Sequence, residues 1–161
     1  MTDHTDRPAT GYAARVAVGN RDLERSAASG VYALNVAHSF HHRQLRSHGG
    51  PDSPDNLILL TGTGTTGEHG AVHGDPRMAQ RVGLIVPSWS TPAEYPVYRR
   101  DPYGVGWDWF LQTPDGQLEW ATDGRATMAH LHGIDTTDID AALAVFREMV
   151  SLARREASPW G

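Results

Sequence analysis

His41 and His42 stand side by side in SFHHRQLRSHGG, and His69 and His73 stand four apart in GEHGAVHG. A neutral imidazole can ligate a metal ion, and near neutral pH it can take a proton from water. On a helix, residues four apart present both rings on one face, within reach of one cation. Along a strand, neighbours point to opposite faces, so an adjacent pair can divide two tasks, one ring on a metal and the other on water. Six of the nine histidines fall between His38 and His73, and the stretch from His38 to His48 adds Arg43 and Arg46 without an acid. Together these residue types offer a base for water, a held cation and guanidinium groups that could orient an oxyanion, a set suited to metal-assisted hydrolysis.

These residues need elements to hold them. VYALNVAHSFHH mixes apolar, β-branched and aromatic residues and predicts an extended segment ending at the histidine pair. RSHGGPDSPDN is dense in glycine, proline, serine and aspartate and predicts a loop. NLILLT, a short apolar run between turn signals, predicts a buried strand. Thr65 and Glu68, at capping-box spacing, predict a helix start, although Gly67 and Gly70 make that helix intrinsically poor. Asp75 as N-cap with Pro76 behind it predicts a second short helix to Val82, closed by Gly83.

Outside this region, NRDLERSAASG predicts a short helix from Asn20 to Gly30, LIVPSW a strand, and STPAEYPVYRRDPYG an irregular segment. WDWFLQTPDGQLEWAT predicts a hairpin about Pro114, Asp115 and Gly116. TTDIDAALAVFREMVSLARREA is the strongest helix, with Thr137 and Asp140 at capping-box spacing. Its Ile139, Ala142, Leu143, Phe146, Met149, Val150 and Ala153 fall on one face.

A chain of 161 residues suits one domain. There is no cysteine, which excludes disulfides and thiolate metal sites and leaves histidine, carboxylate or carbonyl as metal donors. All 14 basic residues are arginine, yet the net charge is −5, so affinity for a polyanion would have to be local and sensitive to salt. No stretch approaches the apolar length of a membrane span, and the polar N-terminal MTDHTDRPATG does not read as a signal peptide but as a loose tail.

Taken together, His41 and His42, Asn56 in DNLILL, and His69 and His73 in GEHGAVH resemble the HNH endonuclease family, whose core is the ββα-metal motif. The string from HHRQLRSHGG to GEHGAVHGDP is also similar to the small HNH proteins common in phages of actinobacteria. The resemblance implies an α+β fold: a tail over 1–11, an N-terminal extension over 12–34, the ββα-metal core over 35–89, and an added hairpin and C-terminal helix packed on it over 90–161. His41, His69 and His73 would hold one divalent ion, which could be magnesium, manganese, nickel or zinc. His42 would be the general base. Asn56 would fix the loop and the His42 ring, and Arg43 and Arg46 would orient a phosphate. The implied activity is metal-dependent endodeoxyribonuclease chemistry, leaving a 5′ phosphate and a 3′ hydroxyl, with DNA as partner. The implied setting is the cytoplasm of a bacterial cell, with the chain phage-encoded and phage packaging proteins as further partners. Many HNH proteins brace the motif with paired cysteines; this chain has none, so the hairpin and C-terminal helix must do that work.

Other readings compete. Two histidines on a helix can be ordinary surface residues, and a ββα-metal fold can lose activity and persist as a metal-stabilised nucleic-acid-binding or packaging accessory protein. RNA is an alternative substrate. Trp107, Trp109, Phe110 and Trp120 could stack on bases or form core. Arg99 and Arg100 read as a solvated basic spot, and His38 and His48 as loop residues. His130 and His132 receive no role. GTGTTG is a glycine-rich turn without the lysine of a P-loop.

Overall fold

The computed structural model describes residues 6–158. It is a mixed α+β fold with two small antiparallel sheets. The elements are α1 (Asp6–Arg21), β1 (His38–His42), β2 (Leu57–Thr61), α2 (Gly67–Gly74), α3 (Pro76–Arg81), β3 (Val97–Arg100), β4 (Trp107–Gln112), β5 (Leu118–Trp120), α4 (Gly124–Leu131) and α5 (Thr136–Ala157). Strands β1 and β2 form one sheet, and β3, β4 and β5 the other, with β4 central. No helix among the described residues is long and apolar enough to cross a membrane.

Strand β2 explains its own composition. All five of its residues are buried. Leu57 and Leu59 pack with Ala14 and Val18 of α1. Ile58 and Leu60 face the other way, into the larger cluster with Val72 of α2 and Phe146 of α5. Side chains alternate faces along a strand, so a strand covered on both sides reads as a continuous apolar run. Each such side chain contributes about 1.5–3 kcal/mol on burial.

Helix α5 buries the seven residues that the helical periodicity selects, Ile139 to Ala153. Its N-cap is Asp135, whose side chain accepts from the Thr137 amide at 2.8 Å, rather than the predicted Thr137. Asp75 caps α3 as expected, accepting from Met78 N at 3.1 Å. The hairpin about residues 114–116 forms between β4 and β5. Within it Trp109 and Phe110 are core, whereas Trp120 is exposed and stacks on Phe110 at 4.6 Å between ring centroids.

Five further expectations are overturned. Helix α1 begins at Asp6 and so includes part of the segment read as tail; residues 1–5 of that tail lie outside the described residues. The predicted helix over Asn20 to Gly30 is a series of turns, with Leu23 and Glu24 at φ 56 and 57. The cause is that Asp22 is drawn inward to Arg99 at 2.6 Å, while Ser26 Oγ accepts from the amides of Ala28 and Ser29 at 3.1 Å. LIVPSW is not a strand: the amides of Leu84 and Ile85 both turn back to Ala79 O, and only Val86 N reaches toward β1, donating at 2.8 Å to the carbonyl of Arg43, which follows the strand. YPVYRR, read as irregular, supplies β3. Arg99 there is 1% exposed rather than solvated, held by Asp22 and by Gln112 at 2.9 Å. Burial alone would raise the Asp22 carboxyl, but the charges and hydrogen bonds of Arg21 and Arg99 outweigh it and hold its pKa below the usual range.

Candidate metal centre

The site sits where β1, β2 and α2 meet. Antiparallel pairing sets His41 opposite Ile58 and His42 opposite Leu57. His41 therefore points inward and is 1% exposed, while His42 points to the other face. Helix α2 packs on both strands and carries His69 and His73 on the side facing His41. Gly70 is required there: a Cβ would lie 2.5 Å from the Thr65 carbonyl carbon, so only glycine lets the helix start so close to its own preceding turn.

Glu68 does not close a capping box. It is fully buried and accepts from Ser26 Oγ at 2.5 Å and from Thr61 N at 2.9 Å. Thr66 stands at the N-cap but its hydroxyl does not cap the helix; it accepts from Thr63 N at 3.0 Å instead. The carboxylate thus ties α2 to the end of β2 and to the N-terminal turns, supplying order that a helix with three glycines lacks by propensity.

One ligand atom from each of His41, His69 and His73 lies within 4.8 Å of the others, so this cluster could hold a metal ion. The ring centroids are 4.7 to 5.4 Å apart, and the Nε2 atoms of His69 and His73 are 3.0 Å apart. Two imidazole nitrogens on one tetrahedral ion, each at about 2.0–2.1 Å, stand about 3.3 Å from one another. The donor chemistry fits as well. His41 Nε2 lies 2.7 Å from Leu84 O, which can only accept, so that nitrogen carries the proton and Nδ1 keeps its lone pair. A ligating histidine whose other N–H is fixed by a carbonyl is the usual support for such a site.

The electrostatics point the same way. Burial pushes the His41 pKa down to about 3, a trend reinforced by His69, His73 and Arg43 although the Leu84 carbonyl opposes it. Burial, then the nearby His73 and His42, pushes His69 down to about 4. Both rings are neutral at pH 7, with lone pairs available to a cation. A group whose folded pKa is depressed contributes stability above its unfolded pKa, and that contribution is lost as pH falls toward the folded value. The metal-free protein is therefore expected to lose stability from pH 6.5 downward toward 4, His41 alone accounting for about 1.4 kcal/mol per pH unit. Thermal melts in chelator across that range check this; a flat melting temperature would contradict it.

His42 has a different partner. Its Nε2 donates to Asp52 Oδ1 at 2.6 Å, which leaves Nδ1 as the nitrogen with a lone pair. The bond from His42, then the charge of Arg46, hold the Asp52 carboxyl below its ordinary pKa against the opposing effect of burial. Arg46 NH2 reaches Asp52 Oδ1 and Oδ2 at 3.3 and 3.2 Å and remains largely exposed beside His42.

Asn56 is fully buried and holds the loop as expected, accepting from Gln44 N at 2.7 Å and donating to Gln44 O and Pro51 O at 3.0 Å. Its expected contact with the His42 ring is not made; Asp52 takes that place because Asn56 uses its amide on the backbone. Arg43 is a clearer correction. It is fully buried and donates to the carbonyls of Gly83, Asp55, Pro92 and Tyr95 at 2.7 to 3.1 Å, so it cannot reach a phosphate.

No family model, curated protein or solved structure matches the chain. Its chemistry must be read from these side chains. Two residues that hold the histidines escaped the spacing argument: Asp52, and Leu84 through its carbonyl. Each meets its histidine only through loop closure, 10 and 43 residues along the chain, and no periodicity marks such a contact.

Proposed function

We propose that the chain is a metal-dependent endodeoxyribonuclease of HNH type, with β1, β2 and α2 as its ββα-metal core. The observation that carries this reading is the division of labour at the strand end. His41 joins His69 and His73 in one donor cluster, while His42 turns away onto a carboxylate and keeps a free nitrogen.

His41, His69 and His73 would hold one divalent cation. When bound, it would supply charge relief on a non-bridging phosphate oxygen and on the leaving 3′ oxygen. His42 takes a proton from water through Nδ1, and the resulting hydroxide attacks phosphorus as the bond to the 3′ oxygen breaks; that oxygen takes a proton from solvent water, giving a 5′ phosphate and a 3′ hydroxyl, and His42 returns its proton to solvent. Asp52 keeps the ring in the required tautomer and stabilises the imidazolium, as the acid of a catalytic triad does. Arg46, exposed beside them, is placed to contact a phosphate. Asn56 keeps the intervening loop closed.

Incubating supercoiled plasmid with magnesium, manganese, nickel or zinc should give nicked circles with at least one metal and none with chelator. His69→Ala and His73→Ala should remove both the nicking and the rise in melting temperature that metal produces. A folded protein inactive with every metal would end the enzymatic reading. It would leave the second one, a catalytically silent metal-stabilised nucleic-acid-binding or packaging accessory protein, which the net charge of −5 favours.

A further inference from the structure

Three arginines line a cavity of about 480 Å³ between the turns after α1, the end of β3 and the last turns of α5. They are Arg25, Arg100 and Arg154, and no acidic side chain lines the cavity with them. Each guanidinium is set in place by the fold. Arg154 donates through Nε to Ser29 O at 2.9 Å and lies over the Trp107 ring at 4.9 Å. Arg25 donates to Gly30 O at 3.1 Å and lies 5.6 Å from the Tyr32 ring centre. Arg100 crosses Gly30 so closely that a Cβ there would stand 2.7 Å from its Cδ and Nε, and Gly30 has φ +78. Glycine is what lets the third arginine join the other two.

Five other arginines of this acidic chain have carboxylate partners: Arg21 and Arg99 on Asp22, Arg46 on Asp52, Arg81 on Asp138 and Arg125 on Asp140; Arg15, Arg43, Arg77, Arg147 and Arg155 have none among the described residues, but none of those lines this cavity. Arg25, Arg100 and Arg154 have none within 4.0 Å among the described residues. Partial burial, then the charges of Arg25 and Arg154, make Arg100 less basic than usual against the opposing charge of Asp101, and an anion among the three arginines would relieve that repulsion. Three planar forks converging from three elements suit an ion with oxygens in several directions, which describes phosphate better than a carboxylate.

We infer that Arg25, Arg100 and Arg154 form a binding site for a phosphate-type oxyanion, occupied by a backbone phosphate of nucleic acid. The choice of nucleic acid over free phosphate rests on the nuclease reading; the anion site does not. The cavity includes Val36, two residues before β1, and meets a smaller one reaching Thr66 and Gly67 at the start of α2. From Val36 along the strand to His41 is roughly 17 Å of extended chain. A strand of DNA at the histidine cluster can reach the arginines within a few nucleotides.

The test uses the full chain in chelator, which allows binding without cleavage. Anisotropy of a labelled duplex is followed across salt concentrations, and inorganic phosphate binding is followed by calorimetry. The variants are Arg25→Glu, whose side chain is exposed, and the pair R100Q/R154Q, with R147Q/R155Q, which lie on α5 outside this cavity, as control; circular dichroism checks that each folds. R25E and R100Q/R154Q should each weaken DNA binding about 10-fold or more and reduce the slope of log affinity against log salt by about 1, with the control unchanged. Parent-like DNA and phosphate binding in both variants would overturn the site. Loss of phosphate binding with unchanged DNA affinity would overturn only the assignment to nucleic acid. Arginine-dependent DNA binding in a chain that nicks with no metal would sink the nuclease and leave this site standing.

Discussion

Replacing His42 by alanine is expected to reduce DNA nicking by about 10²- to 10⁴-fold, the range that a general base contributes, while leaving metal binding nearly unchanged. The separation follows from the geometry. His42 lies on the face of β1 opposite to His41, and its Nε2 is committed to Asp52 rather than to the cluster. Metal titration followed by melting temperature, set beside plasmid nicking, reads the two properties independently. Asp52→Asn should fall between the two proteins, because an amide can still accept from the ring but no longer offers a charge to the imidazolium. A His42→Ala variant that nicks as fast as the parent would remove the base assignment, and loss of metal binding in that variant would show that the two histidines are not divided as proposed.

The largest effect on stability is expected at Arg43. Arg43→Met would remove the donor shared by four backbone carbonyls and should cost at least about 3 kcal/mol, because each buried acceptor left without a donor costs about 1–3 kcal/mol. Arg43→Lys should lose nearly as much, because an ammonium cannot reproduce a planar fork aimed at Gly83, Asp55, Pro92 and Tyr95. Arg46→Ala, three residues on, removes only an exposed pair with Asp52 and should cost less than about 1 kcal/mol. Urea denaturation followed by tryptophan fluorescence compares the three. Equal midpoints for the Arg43 and Arg46 variants would show that the buried network is not what holds the loops together.

The two arginines also show where sequence reading stops. Local patterns carried much of the frame. The apolar face of α5, the Asp75 cap, the 114–116 turn and the run at β2 each depend on residues close together in the chain, and each formed. The histidine cluster was legible for the same reason. Two of its members are four apart on a helix, and the third ends a strand whose partner was evident. What failed depended on distant closure. Asp22 and Arg99 are 77 residues apart, and a charged pair in a sequence reads as solvated until the fold brings both members inside. Arg43 looked like a phosphate ligand because nothing local reveals that three loops would close over it. Helix α1 was missed because, among its described side chains, only small Ala14 and Val18 enter the apolar cluster, too weak a stripe to stand out.

Strand β2 is equally oily on its two sides, so hydrophobicity alone does not tell it how far to slide along its neighbour. Its alignment has to come from polar stops at the two ends: Asn56, clasping Gln44 and Pro51 before it, and Glu68, gripping the Thr61 amide after it. Displacing the first strand by one position would turn His42 inward and His41 outward, exchanging would-be ligand and would-be base. The reactivity of the doublet is therefore governed by two residues that never touch it.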